Sequence, residues 1–100
     1  MDIRVLKLSS GQEIIARIDE YPQDITKPVW RLGIPMSLAP TPQGMSLIPW
    51  LLLTKDKKVT CTVPESAVIT SYTPDNEVVN AYKEQTDQGI VTPPTELVVS

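Results

Sequence analysis

The chain has 100 residues, 41% of them hydrophobic, and its nine basic and twelve acidic side chains give a net charge of −3. That supports one domain with a modest core, excludes gross disorder, and offers no apolar run long enough to span a bilayer. The acidic balance argues against a strong polyanion binder, since nonspecific nucleic-acid affinity comes from basic side chains. The strand-like start, Met1-Asp2-Ile3-Arg4, and the single cysteine, Cys61, predict a reducing, cytoplasmic setting with no secretory leader.

Ten prolines are spread along the chain and forbid long helices between residues 20 and 74. Residues 3–8 (IRVLKL) and 13–20 (EIIARIDE) read as strands. Leu6 and Leu8 share one face with Ile14, Ala16 and Ile18, while Ile3, Val5 and Ile15 take the other. Ser9-Ser10-Gly11 between them predicts a hairpin whose last loop residue has positive φ. Residues 29–39 and 46–54 are apolar strands interrupted by Pro35 and Pro49, so they are expected to be bent, bulged or at an edge there. A turn at 40–44 separates them, and Lys55-Asp56-Lys57-Lys58 is a second, polar turn. Residues 59–63 (VTCTV) and 67–72 (AVITSY) form two further strands around Pro64-Glu65-Ser66. The pattern then changes. Thr73 as N-cap and Pro74 at the first position open a helix over 74–87 that places Val78, Val79 and Tyr82 on one face and ends near Gly89. Residues 90–100 are a tail, either loose or laid as an arm on a neighbour.

The absence of histidine removes Ser-His and Cys-His triads and His-based zinc sites. The four glycines, at 11, 33, 44 and 89, make no phosphate loop. Asp19-Glu20 and Asp75/Glu77 read as a solvated strand end and a helix start rather than a catalytic or calcium pair. Cys61 alternates with Val59 and Val63 and reads as a small core residue rather than a reactive thiol. Trp30 and Trp50 could stack on bases, but in a chain without phenylalanine they read as core fillers. No enzyme activity, cofactor or metal is expected.

The run Leu8-Ser9-Ser10-Gly11-Gln12-Glu13-Ile14-Ile15-Ala16-Arg17-Ile18 resembles the first motif of the Sm-like (LSm) proteins, with Tyr21 at an aromatic position and Ile25 at an apolar one. Val63-Pro64-Glu65-Ser66-Ala67-Val68 resembles the second motif, and TPDNEVVNAYKEQ followed by GIVTP looks like the short Sm-like proteins of cyanophages. The resemblance implies a mainly β fold, a strongly bent five-stranded antiparallel barrel of SH3 type over 1–72, with a C-terminal helix over 73–89 and the tail over 90–100. It implies a homo-oligomeric ring of about five to eight subunits made by pairing of sheet edges. The edge candidates are Val59, Cys61, Val63, Val68, Ile69 and Tyr72. It also implies association with RNA, as a chaperone or processing scaffold. The family's Asp and Asn positions here hold Pro22 and Thr26, however, and its Arg-Gly positions hold Pro64 and Glu65. Arg17, Tyr21, Thr26, Lys27, Arg31, Lys55, Lys57 and Lys58 are left as RNA-binding candidates, predicting a non-standard or lost uridine site. The alternative is an assembly module with the same ring and no nucleic acid.

Overall fold

The computed structural model describes residues 2–51, 53–55, 58–87 and 95–97. In chain order these form β1 (Ile3–Leu8), β2 (Glu13–Glu20), β3 (Val29–Thr41), β4 (Gly44–Pro49), β5 (Thr60–Pro64), a single 3-10 turn at Glu65–Ala67, β6 (Val68–Tyr72), α1 (Asn76–Asp87) and β7 (Thr95–Leu97). All seven strands belong to one antiparallel sheet of order β6-β1-β2-β3-β4-β7, with β5 also paired to β3.

The first two strands have the predicted bounds, and Gly11 closes their hairpin with φ +90°, a conformation that costs an L side chain free energy. The strand expected over 29–39 runs on to Thr41, because Pro40 pairs with Met45 and the turn shrinks to Pro42-Gln43. The strand expected over 46–54 stops at Pro49. The reason lies in β3. Its C-terminal half, Met36–Thr41, pairs with β4, whereas its N-terminal half, Val29–Gly33, pairs with β5. Between them Ile34 takes φ +48° and Pro35 has no N–H to give. The pairing is stitched on either side of this break, with the Ile34 N–H donating to the Val59 carbonyl at 2.8 Å and the Trp50 N–H to that of Pro35 at 3.1 Å. Strands β4 and β5 are therefore two halves of one strand laid along β3, with residues 50–59 inserted between them.

Two apolar clusters lie on opposite sides of this sheet. Leu6, Leu8, Ile14, Ala16, Ile18, Trp30, Leu32 and Val63 form one, with Trp50, Cys61 and Val68 packed at its margin. Ile3, Val5, Ile15, Met36 and Leu47 form the other, and α1 covers them with Val78, Val79, Ala81 and Tyr82. The alternation expected of the first hairpin thus holds on both faces, and the expected apolar face of the helix is the one that packs. The helix starts later than expected. Asp75, not Thr73, accepts from the Glu77 N–H at 3.3 Å, while the Thr73 hydroxyl instead receives Arg4 from β1.

Strand β6 pairs with β1 alone and β5 with β3 alone, so no pairing closes the sheet between them among the described residues. The outer edge of β4 is taken by β7, with Met45, Ser46 and Leu47 opposite Leu97, Glu96 and Thr95. Part of the tail is therefore a strand on the chain's own sheet. Gly89, Ile90–Pro94 and 98–100 lie outside the described residues.

Candidate assembly edges and nucleic-acid interface

Two unpaired strand edges, β5 and β6, follow one another in sequence and are joined by the 3-10 turn at Glu65–Ala67 alone. The candidate edge side chains divide between core and solvent. Val63 is in the core, and Cys61 and Val68 pack half-buried against it, so these three turn toward the chain's own core. The cause is the period of two: on β5 the core side takes 61 and 63, leaving Thr60, Thr62 and Pro64 outward. Burial pushes the Cys61 thiol up from its ordinary pKa, which disfavours the thiolate. Val59 is half-buried at the start of β5. Ile69 and Tyr72 do face solvent, 64% and 42% exposed, and the Tyr72 hydroxyl donates to Glu13 at 3.1 Å. Burial, followed by this bond, pushes the Tyr72 pKa up.

At the far end of β5 the chain brings together the two segments that the Sm-like resemblance assigns to nucleic acid. The Glu65 N–H donates to the Pro28 carbonyl at 2.8 Å. Pro28, Val29, Pro64, Glu65, Ser66 and Val68 line a hollow of about 570 Å³ there. The loop over 21–28 is built on Asp24, whose carboxylate accepts from the Thr26 hydroxyl and, at 2.8 Å, from the Thr26 N–H. These bonds hold its carboxyl below the ordinary range. Thr26 is thus committed to the turn. Tyr21 tilts against Trp30 with ring centroids 5.4 Å apart. Trp30 itself is core, and Trp50 is a half-buried neighbour of that core whose indole N–H donates to Gln12 at 3.3 Å. Of the charges these two segments carry, Asp24 and Glu65 outnumber Lys27, a local net of −1.

The remaining cations are elsewhere. Arg17 donates to Asp19 at 2.6 Å and lies over Gly33, where a Cβ would run into its guanidinium. That bond lowers the Asp19 pKa and raises that of Arg17. Arg31 stands 3.8 Å from Glu20 on the adjacent strand. Lys55 and Lys58 are exposed and precede Thr60, so all of β5 separates them from the Pro28–Glu65 junction. Five residues of strand span roughly 16 Å. Lys57 lies outside the described residues. Among the described residues the RNA-binding candidates therefore do not form one patch: three sit on the 21–28 loop, two are ion-paired on the sheet, and Lys55 and Lys58 are at the other end of β5.

Sequence reasoning missed one buried polar centre. The Arg17 N–H donates to the Tyr82 hydroxyl at 3.1 Å, and that hydroxyl can donate to the Gly33 or Ile34 carbonyl at 2.9 and 2.8 Å. These groups belong to the break in β3 and to the irregularity of β2 between Ile15 and Arg17. Tyr82 was visible as an apolar-face residue; the destination of its hydroxyl depends on a pairing that sequence does not display.

Among the described residues, no three His, Cys, Asp or Glu side chains come together to hold a metal, and no helix is long and apolar enough to cross a membrane. The chain belongs to a family of unknown function, DUF6561, which matches residues 1–87, from β1 to the end of α1. No curated protein matches it.

Proposed function

We propose that this protein is an Sm-like subunit, a strongly bent barrel that assembles with copies of itself into a ring of about five to eight. RNA, on this reading, is held through phosphate charge and not through a uridine pocket. One observation carries the assembly: β5 and β6 are consecutive strands with free edges, whereas β7 covers the edge of β4. Unpaired edges are liabilities unless something pairs with them. A β5 edge meeting the β6 edge of the next copy is a heterologous contact, and such contacts make a ring when the rotation from copy to copy closes. The meeting of loop 21–28 with the turn at 64–67 supports the Sm-like reading further.

Lys27 is the cation that the loop itself brings to the junction, repeated once per subunit, so weak contacts can add up around a ring. A point charge of this kind holds phosphate without reading bases. A second reading, an assembly module that binds no RNA, is favoured by the net negative charge of the junction. Both readings suit a cytoplasmic protein with a free Cys61.

Fluorescence anisotropy with U-rich and mixed-sequence RNA across salt concentrations tests the choice. The expected outcome is weak binding that falls steeply with salt, shows no preference for U-rich RNA, and drops on Lys27→Ala. Tight, salt-tolerant, uridine-selective binding contradicts it. No binding at low salt leaves the assembly module as the function.

A further inference from the structure

Strand β6 ends at an apolar hollow of about 210 Å³, lined by Tyr72, Pro74, Val78 and Val5, by Leu38 and Met45 of the β3–β4 hairpin, and by one carboxylate, Asp75. That is far more room than the ~10–15 Å³ that holds one water. The hollow is preformed, with Tyr72 tied to Glu13 and Asp75 fixed at the start of α1. Elsewhere in the chain a large apolar side chain is left bare: Leu53 is 99% exposed. It belongs to the segment between β4 and β5, which is tethered at both ends to the break in β3, through Trp50 and Val59.

Pairing across copies would bring these two features together. Every pairing in this sheet is antiparallel, and a neighbour's β6 that continues the alternation runs antiparallel to β5. Thr60 then lies beside the neighbour's Tyr72 and Pro64 beside its Val68. In the register that overlaps these two five-residue strands in full, Thr60 comes to the end of the neighbour's β6, which Pro74 and Asp75 follow in sequence. Leu53, three residues from Trp50, reaches about 10 Å from that anchor at full extension. The charges match as well: the segment carries three lysines against one aspartate, with Lys55 and Lys58 exposed, and the hollow is lined by the carboxylate of Asp75.

We propose that Leu53 of one copy seats in the Tyr72–Val78 hollow of the next, so that the segment inserted between β4 and β5 is a clasp on each subunit contact. The occupant is a second copy of this chain, and the inference rests on the ring-forming reading above. It gives the insertion a role: strand pairing alone fixes the direction of the contact, and the clasp adds buried apolar area and a charge match.

The test compares wild-type chain with Leu53→Ser by sedimentation velocity over a dilution series, and adds a crosslink. Because Leu53 is bare, Leu53→Ser keeps the melting temperature of dissociated subunits. It is expected to raise the concentration at which the ring half-dissociates by about ten- to a hundredfold. In a Cys61→Ala background, Leu53→Cys and Asp75→Cys chains are mixed and oxidised; a disulfide-linked dimer is expected from the mixture and not from either alone. An assembled wild-type ring whose dissociation is unchanged by Leu53→Ser, or whose cysteine mixture gives no crosslink, overturns the clasp and leaves the ring standing. A wild-type chain that sediments as monomer at every concentration overturns the ring and the clasp with it.

Discussion

Tyr82 is fully buried, yet its hydroxyl reaches backbone groups that a bulge and a positive-φ residue have left out of the sheet ladder. Tyr82→Phe keeps the packing and removes that partner, so a cost of about 1–3 kcal/mol is expected from unpaired buried backbone. The measurement is a urea midpoint that falls with unchanged slope; an unmoved midpoint would mean that water or another donor serves these groups equally well. Gly33 illustrates a different constraint. Its side is filled by the Arg17 guanidinium, so Gly33→Ala displaces the flexible end of Arg17 and weakens its bond to Asp19. The Asp19 carboxyl, now held low, should return toward its ordinary pKa in that variant, as carboxyl NMR shifts would report. The sign on stability follows. Asp19 and Asp24 both have folded pKa values below their unfolded ones, so each contributes stability above the unfolded value that is lost as pH falls through the folded one. Wild type should lose stability on acidification below about pH 4, and Asp24→Asn should lose less over the same range. An equal acid slope in both would deny Asp24 its role in the turn.

At the level of elements, period and punctuation carried much of the reading. The alternation of IRVLKL and EIIARIDE set both strand bounds and both faces, because each residue's side of a strand is a local property. Gly11 was legible for the same reason. Nothing lies within 4 Å of a Cβ built there, so the constraint is φ +90° and not space. Gly11→Val should therefore destabilise the hairpin by about 1–2 kcal/mol, seen as a lower denaturation midpoint. What sequence did not reveal is non-local. Pro35 and Pro49 mark an interruption in each apolar run, but that β4 and β5 are halves of one strand depends on their shared partner β3, whose ladder passes from one to the other at that break. The cations divide in the same way: Arg17 pairs with Asp19 two residues along its own strand, a local contact, whereas Arg31 meets Glu20 only once β2 and β3 are in register. Strand β7 is three residues long and gave no alternating signal to find.

For the whole molecule, the two clusters and α1 account for the apolar side chains of the sheet, while Ile69 and Tyr72 on β6, Leu53 in the segment before β5, and Tyr21 and Ile25 on the 21–28 loop are left exposed. Two of these, Ile69 and Tyr72, sit on the free edge of β6, where the proposed assembly would cover them. The central claim is self-assembly through β5 and β6, and sedimentation velocity on the full chain at micromolar concentration tests it most directly. The account predicts a single closed species about five to eight times the 11.1 kDa chain mass, reduced to smaller species by Ile69→Glu on the β6 edge. A wild-type boundary at 11.1 kDa alone, unchanged by concentration, would contradict it.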